Sequence, residues 1–377
     1  MIALVMYVAL TGVLCWWSIL LAPWQAWRVR EYLEPADIPV EEKQSFDKIT
    51  VLIPARDEAQ FITQTLHKLQ AQDNNLRIIV IDDQSEDRTV TLARAAGAEV
   101  VVGTTPPKGW SGKLWALEQG LQVVDTRYVL LLDADISLSP GILNALLNKA
   151  YQENLSLVSI MAKLPVQRFS ERLLVPAFIF FFKLLYPFGL SNNPKSRVAA
   201  AAGGCILAET RMLRSINAFS SIHNALIDDC TLAAQAKRSG FKTWLGLSHA
   251  VQSQRGYDNL LAIWNTVART AFTQLHYSFL LLLLCTLIML SMFWCAPLAV
   301  IFYTDTIFFL ISVLAWFAML MVYTPILRFY RCSLFWGITL PIIGTLYLLM
   351  TWTSAIRYWR GIRAHWKNRR YEVSERG

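Results

Sequence analysis

The chain has 377 residues, 55% hydrophobic and only 16% charged, with a formal net charge of +8. So low a charge density argues against an ordinary soluble enzyme and puts part of the sequence in lipid. Cys15, Cys205, Cys230, Cys285, Cys295 and Cys332 show no C-x-x-C spacing, which speaks against a zinc site or a disulfide framework and fits a reducing compartment.

Residues 1–22 (MIALVMYVALTGVLCWWSILLA) carry no charge, and Trp24, Trp27, Arg28 and Arg30 follow. At about 1.5 Å per residue such a stretch spans a hydrocarbon core of roughly 30 Å. It has no basic n-region and no small-residue cleavage site, so residues 1–30 read as an uncleaved anchor rather than a signal peptide. A linker over 31–48 leads into a globular region, 49–255. There ITVLIP (49–54) is a buried strand, and a helical pattern puts Phe61, Ile62, Leu66 and Leu69 on one face. The strands RIIVID (77–82), EVVV (99–102) and YVLLLD (128–133) alternate with helices from about Asp87 to Ala96 and through Lys113–Val124. This is the α/β class. It predicts a parallel sheet with right-handed crossovers and a ligand at the C-terminal strand ends.

The polar clusters fall at those ends. In PARDE, Pro54 stops the strand and Arg56 and Glu58 lie at the crevice mouth; Glu58 reads equally as a first-turn acid favoured by the helix dipole. In DDQSEDRT, Asp87 suits a helix N-cap, whereas Asp83 has no capping role and suits a nucleobase imide N–H. GWSGKLWALEQG (109–120) sets Lys113 at the positive end of a helix. The dipole opposes an ammonium there, so an anion such as a diphosphate has to compensate; the P-loop pattern is absent. Asp133 and Asp135 are hard oxygen donors that repel each other without a cation. They suit Mg²⁺ or Mn²⁺, whose shell substrate phosphates complete. The competing reading has Asp135 capping a turn before Ser139-Pro140. In ALIDDCTLAAQAKRSG (225–240), Asp228 and Asp229 open a helix; local sequence makes one an N-cap first and a general base second.

ERLLVPAFIFFFKLLYPFGL (171–190) is apolar all round except at Lys183 after its first turn, which predicts a helix lying in the cytoplasmic membrane interface as part of the globular domain. A gating helix is expected over 256–276, then membrane segments at 277–303, 306–327 and 334–356. Arg28, Arg30, Arg328 and Arg331 place the globular domain in the cytoplasm. Arg357, Arg360, Arg363, Lys367, Arg369 and Arg370 make 357–377 a basic tail, read as a cytoplasmic headgroup-binding flank rather than a nucleic-acid site. Because Pro341 and Gly344 interrupt 334–356, a re-entrant hairpin is favoured there over a full crossing.

Taken in order, VLIPARDE, IDDQSEDRT, GWSGKLWAL, LLDADISL and IDDCTLAAQAKRSG resemble the family 2 glycosyltransferases of GT-A fold. PAFIFFFKLLYPFGL (176–190), AAAAGGCIL (199–207), ALIDDC (225–230) and VARTAFTQL (267–275) are similar to the hopene-associated membrane glycosyltransferases in particular. The resemblance implies a donor-binding set of Pro54, Arg56, Glu58, Asp83, Lys113 and Asp133. In it Glu58 and Asp83 hold the nucleoside, and Arg56 and Lys113 lie near the diphosphate. Asp133 and Asp135 become the D-x-D pair, with Asp135 on Mg²⁺ or Mn²⁺. Asp229 becomes the base, reversing the local ranking, while Asp228 stands where relatives have Glu. In place of Gln-x-x-Arg-Trp the chain offers Trp264, Arg269 and Gln274 for the phosphate or acceptor side.

The implied reaction is inverting transfer from a nucleotide-sugar, with UDP the expected nucleotide, to a lipid hydroxyl. The implied acceptor is a hopanoid or other polyprenoid at the cytoplasmic face of the inner membrane. A processive polysaccharide synthase of the same superfamily needs more membrane helices and an intact Gln-x-x-Arg-Trp. A non-catalytic nucleotide-binding scaffold has no use for an intact DAD, Lys113 and Asp229.

Overall fold

The computed structural model describes residues 2–35, 48–73, 75–298, 306–362, 365–366 and 369–370. Most of the expected linker, and most of the tail beyond Ile362, lie outside these. The chain divides into two units. Helix α1 (Ile2–Leu21) opens an apolar unit. The α/β unit follows with β1 (Ile49–Ala55), α2 (Ile62–Gln70), β2 (Arg77–Asp82), α3 (Thr89–Ala95) and β3 (Glu99–Val102). It continues through α4 (Gly112–Gln122), β4 (Tyr128–Leu132), β5 (Ile136–Leu138), α5 (Ile142–Glu153) and β6 (Leu157–Lys163). The chain then contributes α6 (Phe169–Leu185) to the apolar unit. It completes the α/β unit with α7 (Phe188–Asn192), β7 (Cys205–Glu209), α8 (Thr210–Ser215), α9 (Asp228–Arg238) and β8 (Thr243–Ser253).

The eight strands form one sheet in the order β3-β2-β1-β4-β7-β6-β8-β5. From β3 to β4 it is parallel, as the alternation of strands and helices predicts. Beyond β4 it is mixed: β7 is antiparallel to β4 and β6, β8 is parallel to β6, and β5 is antiparallel to β8. The four strands read from the sequence are thus parallel as expected, and the reversals fall among the later strands, which it did not name. A strand covered on both faces is apolar throughout and reads alike in either direction, so composition carries no sign of the reversal. Side chains alternate across β1. Val51 and Ile53 pack with Ile62, Leu66 and Leu146 on one face; Leu52 packs with Ile81, Leu117 and Leu232 on the other. Helices thus cover both faces and leave the C-terminal edge of β1, β2 and β4 to loops.

The apolar unit adds α10 (Leu260–Gln274), α11 (Phe279–Leu290), α12 (Thr306–Phe329) and α13 (Leu340–Trp359) to α1 and α6. Among the described residues three helical spans, Phe279–Leu298, Phe309–Phe329 and Leu334–Trp359, are long and apolar enough to cross a membrane. Two expectations change here. First, α13 runs unbroken, so no re-entrant reversal forms within it. Pro341 sits in its first turn, where a missing N–H costs no intrahelical bond. Gly344 is a packing residue: a Cβ there would lie 2.5 Å from Phe293 Cδ2, so its absence admits the ring. Second, α6 clusters with the apolar unit rather than with the α/β domain. Phe180 packs on Tyr323 at 5.3 Å, Phe181 on Tyr347 at 4.8 Å, and the Tyr347 hydroxyl donates to Leu174 O at 2.9 Å. Leu174, Val175, Ala177, Ile179 and Phe180 make the buried side of α6, together with Glu171 and Lys183, while Phe169 and Leu185 are exposed.

Candidate active site

The loops after β1 and β2 are tied into one structure. The Asp83 amide donates to Ala55 O (2.8 Å), and the Arg56 guanidinium donates to Asp83 O (2.6 Å) and Gln84 O (3.1 Å). Asp87 accepts from Thr89 N (2.8 Å) and Ala59 N (3.0 Å), joining the start of α3 to the PARDE loop. It is one residue short of the expected N-cap, since Arg88 holds that position. Glu58 N donates to the Thr89 hydroxyl at 2.8 Å. Asp83 is therefore held buried at the end of β2, at 2% exposure. Arg56, expected near a diphosphate, spends these bonds on the carbonyls that shape the Asp83 loop. Glu58 precedes α2 by four residues and so is not a first-turn acid.

The starts of α4 and α9 bring the second group together. Ser111 caps α4 by accepting from Leu114 N at 3.2 Å, which sets Lys113 in the first turn. Its ammonium lies 2.7 Å from Asp133 Oδ1, beyond the end of β4. The anion that sequence reasoning required is thus supplied by the protein itself. Burial works against the Lys113 charge, but Asp133, Asp228 and Asp229 outweigh it and hold the pKa above its ordinary value. Neither aspartate of the pair at residues 228–229 caps α9. Ile227 is the N-cap residue and makes no side-chain cap. Both are first-turn acids, favoured there by the helix dipole.

Asp229 Oδ2 accepts from Gly203 N (2.8 Å) and Oδ1 from Cys230 N (2.7 Å). A Cβ on Gly203 would stand 3.3 Å from Lys113 Nζ and 3.4 Å from Asp229 Oδ2, so a side chain there would press on the lysine head and the carboxylate. Burial, then the neighbouring Asp228, push the Asp229 carboxyl up to about 6, against the pull of its amide donors and Lys113. One pocket is lined by Pro54, Lys113, Asp133, Gly203, Asp228 and Asp229.

Asp135 faces a different cation. Arg255, just past β8, donates through Nε to Asp135 Oδ2 at 3.1 Å and through its terminal nitrogen to Glu58 Oε2. Its guanidinium lies 4.7 Å from the centre of the Phe61 ring. Sequence reasoning missed Arg255, whose surroundings (QSQRGYDN) match no motif. It also left Gly203 without a role, although AAAAGGCIL stood out. Trp264 and Gln274 lie on α10 and bond within the apolar unit, to Thr353 Oγ1 (3.1 Å) and the Tyr186 hydroxyl (2.7 Å); Arg269 is exposed.

Among the described residues no three His, Cys, Asp or Glu side chains converge on a metal-sized site. Asp133 and Asp135 offer two carboxylates, and Asp135 already holds a cationic group. That set fits a hard divalent ion whose remaining ligands are water and phosphate oxygens.

Residues 50–216 match the model of glycosyl transferase family 2. The 4,4'-diaponeurosporenoate glycosyltransferase of Staphylococcus haemolyticus (strain JCSC1435) is 35% identical over 112 residues, 29% of this chain and 30% of that protein. Its namesake from Staphylococcus aureus (strain MRSA252) is 34% identical over 126 residues, 33% of this chain and 34% of that protein. The chain thus aligns with about a third of the length of these curated relatives. Among solved structures, the mannosyltransferase PcManGT from Pyrobaculum calidifontis, in complex with GDP-Man and Mn²⁺, superposes with a TM-score of 0.55 at 14% identity. The superposition covers 94% of this chain and 99% of that one. With the motifs, the sheet and the matched segment in agreement, residues 50–216 are a glycosyl transferase family 2 domain, and the α/β unit that holds them has the GT-A fold.

Proposed function

We propose that the chain is an inverting glycosyltransferase that moves a sugar from a nucleotide-sugar to a hydroxyl of a membrane lipid, a hopanoid or another polyprenoid. The observation that carries this is the meeting of Lys113, Asp133 and the Asp228–Asp229 pair around one pocket at the C-terminal edge of a family 2 domain. The relatives named for diaponeurosporenoate support a lipid-like acceptor, and the three apolar spans support a membrane-bound enzyme.

Glu58 and Asp83 hold the nucleoside, and Lys113 lies beside the leaving diphosphate. A Mg²⁺ or Mn²⁺ bound by Asp135 and Asp133 supplies charge stabilisation to that diphosphate. The bond from the anomeric carbon to the diphosphate breaks as the acceptor oxygen bonds to the same carbon. The acceptor proton passes to Asp229. A carboxyl pushed up to about 6 is ionised at neutral pH yet more basic than a free aspartate, which suits a general base. The amides of Gly203 and Cys230 fix its orientation. Arg28, Arg30, Arg328 and Arg331 favour a cytoplasmic domain at the inner membrane.

Membranes containing the full chain, incubated with a panel of labelled nucleotide-sugars and then extracted, will carry label in a discrete lipid. Label confined to a polymer would indicate a synthase instead. UDP–Mn²⁺ binding with no transfer to any extract would indicate a scaffold.

A further inference from the structure

Arg255 is the one cationic group that touches both Asp135 and Glu58 among the described residues. It therefore ties the residue proposed to ligate the metal to a residue proposed to hold the nucleoside. A guanidinium 3.1 Å from Asp135 Oδ2 occupies the ground on which a divalent ion bound by that oxygen would stand. The two cannot share it, because like charges at such distances repel strongly in a partly buried site.

We infer that Arg255 is a built-in latch on the metal carboxylate: it neutralises Asp135 in the empty enzyme and leaves it when metal and nucleotide arrive together. This rests on the function proposed above.

Three features suit the side chain to moving. Its side chain is 43% exposed, whereas the Glu58 and Asp135 side chains it bridges are 10% and 17% exposed. Its planar face rests on Phe61, a contact that a tethered guanidinium can keep while its nitrogens change partners. Its backbone is anchored separately, with Arg255 N donating to Ser253 Oγ at 3.2 Å and the preceding Gln254 N to Asp135 O at 2.8 Å. The stem therefore stays while the head moves. A diphosphate offers the released head a bidentate partner better than two single contacts to separate carboxylates. Metal alone displaces the arginine from Asp135 and leaves it only Glu58, whereas metal with nucleotide gives it a new bidentate partner. Arg255 is a positioning residue that makes the two bind interdependently.

The test uses the detergent-solubilised full chain, with free Mn²⁺ followed by electron paramagnetic resonance. Mn²⁺ is titrated alone and with saturating UDP or GDP. Wild type binds Mn²⁺ weakly alone and much more tightly with nucleotide. Arg255→Met binds Mn²⁺ alone at least tenfold more tightly and loses most of the nucleotide-induced gain. Arg255→Lys, which keeps the charge but reaches one carboxylate at a time, falls between the two and carries the test if circular dichroism finds the Met variant misfolded. A purely structural role for Arg255 would weaken Mn²⁺ binding in the variants or leave it unchanged. Either result, with wild type binding Mn²⁺ in the presence of nucleotide, overturns the latch and leaves the proposed function standing. If no variant and no wild-type protein binds Mn²⁺ under any condition, the metal-assisted reading fails and the latch falls with it.

Discussion

Asp229→Asn separates what the site needs for chemistry from what the fold needs for stability. The Asp229 carboxyl is pushed from 3.8 up to about 6 in the folded chain, first by burial and then by Asp228. A folded pKa above the unfolded one means the folded state binds the proton more tightly, so stability is lost as pH rises between the two values. At about 1.4 kcal/mol per unit, the ionised group costs the fold about 3 kcal/mol at pH 8. Asparagine removes that cost. Its single carbonyl oxygen, however, can satisfy only one of the two amides now bonded to the carboxylate, those of Gly203 and Cys230. Losing one such bond costs about 1 kcal/mol. The variant should therefore be more stable than wild type by about 2 kcal/mol at pH 8, and about equal to it near pH 4.5, where most of the penalty has gone.

For a unit of this size the gain corresponds to a rise of about 4–8 °C in unfolding temperature. Thermal unfolding of the two solubilised proteins at both pH values measures it. In the same variant, single-turnover transfer should fall about 10²–10⁴-fold, with donor affinity nearly unchanged. A variant equally destabilised at pH 8 and pH 4.5 would refute the electrostatic argument. An unstable carboxylate retained at the start of α9 is the kind of cost that active sites carry for function.

Asp228→Asn should reduce transfer less than tenfold, since Asp228 neither caps α9 nor bonds the Gly203 amide; if it is the dead variant and Asp229→Asn the active one, the base is misassigned by one residue. Asp135→Asn should abolish transfer and remove the metal dependence of nucleotide binding, measured by calorimetry with and without chelator. Gly344→Ala forces a methyl group against the Phe293 ring, so it should cost about 1–3 kcal/mol by overpacking, seen as faster thermal inactivation with unchanged donor affinity. Gly203→Ala crowds Lys113 and Asp229 together and should lower single-turnover transfer at least tenfold while the far-ultraviolet circular dichroism stays the same.

Much of the α/β unit was legible from local pattern. β1, β2 and β4 are short apolar runs, β2 and β4 running out at aspartates, while β1 continues through Pro54, the expected stop, to Ala55; the helices between them show periodic apolar faces. Such runs and stops are properties of neighbouring residues, so the chain declares them without knowing its fold. The same holds for Lys113 and the aspartates, because charge placed at a strand end or helix start conflicts with burial or dipole unless something binds there. Tertiary structure decided what depends on distant partners. The antiparallel insertion of β7 beside β4 changes no local preference, yet it brings Gly203 against Asp229. Pro341 and Gly344 looked like breaks in a helix, but their meaning depends on a first turn and on the Phe293 ring. Arg56 serves backbone carbonyls nearly thirty residues away. Arg255 reaches Glu58 across 197 residues and Asp135 across 120, separations at which sequence spacing carries no information and only the sheet, by aligning strand ends, sets which charges meet.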